Sequence, residues 1–126
     1  MTGVVIEVEN RSGVPVDAPA ARQLAQEVLA SQHVTSGDLG IAFVGRDEIR
    51  RLKQEHLGID EATDVLSFPI DGTSELPGDQ PRQLGDVVIC PQVVADAWRR
   101  PLVHGLLHLL GYDHGTEMSD LEDAFL

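Results

Sequence analysis

Apolar residues recur along this chain with two periods, and the switching between them predicts a mixed fold of strands and helices. Val4, Ile6 and Val8 share one face of a stretch over residues 3–9, the period of a strand. Asp17 and Pro19 then read as a helix start, followed by Ala21, Leu24, Ala25, Val28 and Leu29 at helical spacing. Residues 39–44 (LGIAFV) form a second apolar strand. From Asp47 to Leu57 the pattern is helical again, with Ile49, Leu52 and His56/Leu57 inward and Gly58 as the stop. TDVLSFPI over 63–70 is a third strand closed by Pro69, and GDVVIC over 85–90 is a fourth, its hairpin partner. Between them DGTSELPGDQPRQL, at 71–84, holds the densest turn chemistry in the chain and is expected to be an exposed, mobile loop. After Pro91 the pattern is helical over 92–98, 101–110 and 117–125. The order β-α-β-α-β-β-α-α-α implies an α+β (α/β layered) arrangement.

Composition narrows the classes. At 126 residues, with 42% hydrophobic and no repeat or linker, residues 1–126 read as one domain with a real core. No apolar run approaches the roughly 20 residues that span a bilayer, so no membrane partner is expected. The N-terminus lacks a basic region and carries Glu7 and Glu9 among its apolar residues, which argues against a signal peptide. Cys90 is the single cysteine, so neither an internal disulfide nor a cysteine zinc cluster can form, and a cytoplasmic location fits. The formal charge of −12 predicts solubility and little non-specific contact with nucleic acid. Positive charge gathers at Arg46, Arg50, Arg51 and Lys53, and again at Arg99 and Arg100. Asp113, Glu117, Asp120, Glu122 and Asp123 crowd the C-terminal stretch, and all these clusters read first as solvated helix surface.

Chemistry concentrates in PLVHGLLHLLGYDH, residues 101–114. Pro101 suits a first helical turn. His104 and His108 are four residues apart, so a helix projects them from one face, one turn apart, and both imidazoles can reach one metal ion. Gly111 lets the chain turn out of the helix, and three residues later it presents His114. Three neutral imidazoles would leave one position of a tetrahedral zinc ion for water, the arrangement of a catalytic rather than a structural site. Metzincin proteases share this spacing but carry Glu after the first histidine as general base; here that position is Gly105, which has no side chain to take a proton. A lone histidine on such a helix is ordinarily a core residue, but three of the chain's five histidines fall on this segment. His33 and His56 read as surface or helix-end residues.

HGLLHLLGYDH, together with TDVLSFP at 63–69 and GDVVIC at 85–90, resembles the YbeY family of bacterial rRNA maturation factors. The resemblance covers the chain from about residue 40 onward; before that only the strand-then-helix pattern agrees. It implies a four-stranded mixed sheet packed with helices, and one Zn2+ per chain on His104, His108 and His114. It also implies a zinc-dependent, single-strand-specific endoribonuclease acting in 16S rRNA 3′-end maturation and ribosome quality control, with single-stranded rRNA, the ribosome and ribosome-associated proteins as partners. Ser67 and the backbone of 64–68 would line the cleft. The chain departs from the family twice. Many members carry an arginine just before TDVLSFP where this chain has Leu57, so Arg50, Arg51 or Arg82 would have to reach in. The stretch 91–100 is also shorter than in relatives.

Asp113, beside His114, reads either as a carboxylate orienting a metal-bound imidazole or as a helix cap. Arg46, Arg50 and Arg51 beside the metal would focus a positive potential on an otherwise acidic chain. Two other functions fit the same residues. One is a ribosome-assembly factor whose metal is mainly structural, which Leu57 and the acidic surface favour. The other is a metal-dependent hydrolase of peptides or small esters.

Overall fold

Alternation sets the inward face of the first strand. In β1 (Val4–Asn10) Ile6 is buried and Val4 and Val8 pack against the core, while Val5 and Glu7 face outward. The computed structural model describes residues 3–71, 82–95, 97–112 and 115–125. Helix α1 (Ala18–Ser31) starts at the expected cap, where an Asp17 carboxylate oxygen accepts the Ala20 N–H at 3.0 Å and satisfies one unpaired donor of the first turn. Its buried residues are the five read from the sequence: Ala21, Leu24, Ala25, Val28 and Leu29. Strand β2 (Gly37–Phe43) begins two residues before the expected start and buries Leu39, Ile41 and Phe43.

Helix α2 (Arg46–Leu57) stops at Gly58 as expected, with φ 72°. Its inward face is narrower than the pattern implied. Ile49 is its one fully buried residue among those described, whereas His56 and Leu57 are exposed, Leu57 at 59%. The cluster that α2 covers is small (Val44, Ile49, Leu66, Val88, Cys90), and its last turn runs on to the rim of a groove.

Strands β3 (Val65–Pro69) and β4 (Gln83–Ile89) are antiparallel partners, Ser67 opposite Val87. β4 takes in two residues assigned to the preceding loop, because Leu84 is fully buried in the main core. Asp71 and Arg82 flank the strand pair, and residues 72–81 of that expected loop lie outside the described residues. The helix expected over 92–98 is corrected to one turn, α3 (Pro91–Val94). Ala95, at φ 52° and ψ −127°, has a positive φ far from helical values, so the helix ends there. Trp98 belongs instead to the core, 7% exposed and edge-on to Phe43 at 6.4 Å between centroids. Helix α4 (Arg99–Leu109) follows at once, keeping Pro101 in its first turn, and α5 (Thr116–Ala124) ends the described fold.

The sheet has the order β1-β2-β4-β3, parallel between β1, β2 and β4 and antiparallel at β3. It is a four-stranded mixed sheet in an α+β fold. Helices α1 and α4 pack over one face, on the main core; α2 covers the smaller cluster on the residues of opposite phase. β3 is an edge strand, with α2 on one side of it and α4 on the other, and that edge is where the chemistry gathers.

Candidate functional site

A groove of about 1090 Å3 runs along the β3 edge. One wall is the last turns of α2, with Lys53, His56 and Leu57; the other is α4, with Arg100, His104 and His108, backed by Glu122 of α5. β3 itself forms the floor, from Asp64 to Pro69. Cys90 N–H donates to the Asp64 carbonyl at 3.0 Å, which fixes the phase of the β3–β4 ladder. By that phase the main-chain groups of Leu66 and Phe68 face β4, and those of Ser67 face the groove.

His104 and His108 project from one face of α4 because they stand one turn apart. Their Nε2 atoms approach to 3.1 Å, with the rings nearly perpendicular at 84°. Each ring turns its other nitrogen to an acceptor. His108 Nδ1 lies 3.1 Å from the Tyr112 carbonyl, which can only accept, so Nδ1 carries the proton and Nε2 the lone pair. His104 Nδ1 faces Glu122 Oε1 at 3.4 Å. Two imidazole nitrogens this close share either a proton or a cation. Ligands at about 2.0–2.1 Å from a tetrahedral ion stand about 3.3–3.4 Å apart, so the pair suits a divalent ion that accepts imidazole. The turn that follows is made by Gly111 at φ 97°, a conformation open to glycine at little cost. His114 and Asp113, the residues beyond that turn, lie outside the described residues, and no set of three metal-ligating side chains forms among the described ones.

Gly105 has a second role besides lacking a carboxylate. A Cβ there would stand 2.7 Å from Val87 Cγ1 and 3.1 Å from Ser67 Oγ, so α4 lies directly against β3 and β4 at this point. Ser67 Oγ donates to the Gly105 carbonyl at 2.9 Å, which ties the groove floor to the histidine helix. A glutamate at position 105 would meet the sheet.

Arg50 and Arg51, offered in place of Leu57, and Arg46, expected with them to focus charge beside the metal, are engaged elsewhere. Arg50 holds Asp60 through two bonds of 2.6 and 3.1 Å, Arg51 lies 3.8 Å from Glu55, and Arg46 donates to the Gln92 carbonyl at 3.4 Å. The Asp60 carboxyl is held below its ordinary pKa by its hydrogen bond from Arg50. Neither these arginines nor Arg82 lines the groove; the cations that do are Lys53 and Arg100. Lys53 pairs with Glu61 at 2.8 Å, and Arg100 with Asp123 at 2.7 Å.

Two groove residues, His56 and Glu122, have no site role in the sequence pattern. His56 packs on Phe68 at 4.8 Å between centroids and gives the groove an aromatic patch. Nothing in its sequence neighbourhood marks it, since the pairing depends on how α2 crosses β3. Glu122 is only 7% exposed. A signal for it existed: Met118, Leu121, Glu122 and Phe125 form one helical stripe, so a carboxylate sits at a core phase.

The model of the family described as endoribonuclease YbeY matches residues 6–124. Among curated relatives, the endoribonuclease YbeY of Halorhodospira halophila is 40% identical over 110 residues, covering 77% of this chain and 71% of its own length. That of Chloroflexus aurantiacus is 40% identical over 124 residues, covering 86% and 80%. That of Salinispora tropica is 35% identical over 137, covering 93% and 87%. An alignment of 137 positions is longer than this whole 126-residue chain, so that relative carries residues this chain lacks. The solution structure of a Thermotoga maritima protein superposes with a TM-score of 0.57 at 23% identity, covering 96% of this chain and 86% of that one, a likeness of fold.

Proposed function

The chain belongs to the YbeY endoribonuclease family, and from that premise we propose that it is a zinc-dependent, single-strand-specific endoribonuclease. Its place is 16S rRNA 3′-end maturation and ribosome quality control, in the cytoplasm, with single-stranded rRNA and the ribosome as partners. One Zn2+ per chain would be held by His104, His108 and His114. The observation that carries the metal reading is the 3.1 Å approach of two Nε2 atoms, with the His108 Nδ1 proton committed to the Tyr112 carbonyl. Among the described residues no helix is long and apolar enough to cross a membrane.

The bound ion would supply Lewis acidity at a phosphodiester and lower the pKa of a water ligand to about 7. The remaining work falls to side chains of the groove. Lys53 and Arg100 offer positive charge to the phosphates on either wall, each exchanging a surface carboxylate partner for the RNA. The His56–Phe68 patch offers a surface on which an unpaired base stacks, which a duplex could not supply. The Ser67 N–H, turned away from β4, is a main-chain donor on the strand against which the histidine helix packs. Peptide hydrolysis is disfavoured at Gly105, where a general-base glutamate would have no room.

The test is cleavage of a labelled single-stranded 16S rRNA 3′ fragment, metal-loaded against chelated, with His114→Ala as control. Cutting that requires metal and is lost in the variant is the expected result. No cutting by protein carrying stoichiometric zinc would overturn the nuclease reading in favour of an assembly factor whose metal holds the fold.

A further inference from the structure

We infer that Glu122 is a positioning residue for the histidine pair, holding His104 as the Nδ1–H tautomer so that its Nε2 lone pair faces His108. The meaning of this for metal binding rests on the proposed function; the tautomer itself does not.

A carboxylate is seldom buried unless it is paired, and Glu122 is 7% exposed. Its Oε1 lies 3.4 Å from His104 Nδ1 and 3.8 Å from Arg100 Nη1, so it stands between the groove's cation and the first histidine. Arg100 is itself steadied by Asp123 at 2.7 Å, one residue along α5. An ionised carboxylate only accepts, so its approach to 3.4 Å favours a proton on the nitrogen that faces it. A neutral imidazole left to water prefers the opposite tautomer, with the proton on Nε2. That form would point an N–H, not a lone pair, at His108. The two histidines are therefore set by different devices. His108 is fixed by a carbonyl of its own turn, at Tyr112, which any residue there could provide. His104 depends on a side chain from α5, and on α5 staying docked through Met118, 2% exposed.

Two measurements on the full chain read the device separately. In metal-free protein, at a pH where both imidazoles are neutral, long-range 15N–1H correlation spectra report each ring's tautomer. Wild type is expected to show His104 protonated on Nδ1. Glu122→Ala moves that proton largely to Nε2 while His108 stays as it was. Zinc affinity, measured by competition with a chromophoric chelator, falls about 10–100-fold in Glu122→Ala. Glu122→Gln, whose amide oxygen still accepts, keeps the tautomer and loses a smaller part of the affinity. A purely structural role for Glu122 would lower thermal stability and leave both readouts in place, and that result overturns the inference. So does a His104 ring protonated on Nε2 in wild type. If Glu122→Ala does not fold, Glu122→Met, which fills the space without an acceptor, decides by the same spectra: a His104 ring still protonated on Nδ1 overturns the inference, a proton moved to Nε2 supports it. A wild type that binds no zinc but shows the tautomer switch would sink the metal reading and leave the positioning role standing.

Discussion

Gly105 shows how one missing side chain can serve chemistry and packing together. The Cβ of an alanine there would stand 2.7 Å from Val87 Cγ1, well inside contact distance, and would push on the Ser67 hydroxyl at 3.1 Å. Replacing a helical glycine by alanine ordinarily gains about 0.5–1 kcal/mol. Overpacking a close contact costs about 1–3 kcal/mol, so the clash wins. Gly105→Ala is expected to lower the urea midpoint with little change in slope, a net loss of about 1 kcal/mol; an increase would show that α4 can lift from the sheet. His108 presents the reverse case. Its side chain is half-buried on a groove wall, so truncation leaves room for water rather than a cavity. His108→Ala should lose stoichiometric zinc by elemental analysis while circular dichroism keeps most of its signal. One zinc per chain retained in that variant would remove His108 from the ligand set. The spacing of His104 and His108 was legible because one turn of helix alone brings them together. Glu122 was not, because five acids in one stretch look like a solvated face until the phase of Met118 and Leu121 is followed through them.

Elements were legible where one buried face dictated the period. Leu39, Ile41 and Phe43 alternate because β2 is central, and Ala21 to Leu29 keep helical spacing because α1 lies flat on the main core. The reading broke at ends and crossings. Residues 92–98 have helical composition, but the chain leaves the helix at Ala95, at positive φ, and Trp98 packs on Phe43. Long-range packing won there over local propensity. α2 is held from outside its own pattern as well. Arg11, just past β1, donates to Glu48 Oε2 at 2.6 Å and to Glu9 Oε2 at 2.6 Å, tying the first turn of α2 to the end of β1. The hydrogen bond from Arg11 is the main reason that the Glu48 carboxyl sits below its ordinary pKa. A carboxylate with a depressed folded-state pKa adds stability that is complete above its unfolded value, about 4.3. That increment is lost as pH falls through the lower folded value. The pair is partly exposed, 41% and 24%, so solvent screening limits it to about 0.2–1 kcal/mol. Denaturant titrations of wild type and Glu48→Gln should therefore differ by that amount at neutral pH and low salt, and converge in acid below the glutamate range. A gap that persists there would trace the difference to packing of α2, not to the ion pair.

At the scale of the whole molecule, a chain of net charge −12 binding a polyanion must rely on where its few cations stand. Nine Lys and Arg residues face 21 Asp and Glu, so the distant field opposes encounter, and any affinity comes from short-range contacts within the groove. The groove-lining cations are Lys53 and Arg100, while Arg46, Arg50 and Arg51, expected to focus charge there, are spent on Gln92, Asp60 and Glu55. Each phosphate neutralised on a single strand contributes a slope of about −0.7 to log K against log salt. Two contacts predict a slope of about −1.4 for a single-stranded oligonucleotide, measured with chelator present so that side chains alone are counted. Arg100→Ala should flatten it to about −0.7, and Arg50→Ala should leave it unchanged. Double-stranded RNA of the same sequence should bind more weakly, since its bases cannot reach the Phe68 patch. A slope several times steeper than two contacts allow would mean that the RNA runs over the protein beyond the groove. An Arg50 effect equal to that of Arg100 would mean that the strand approaches along α2, with its Asp60 pair broken on binding.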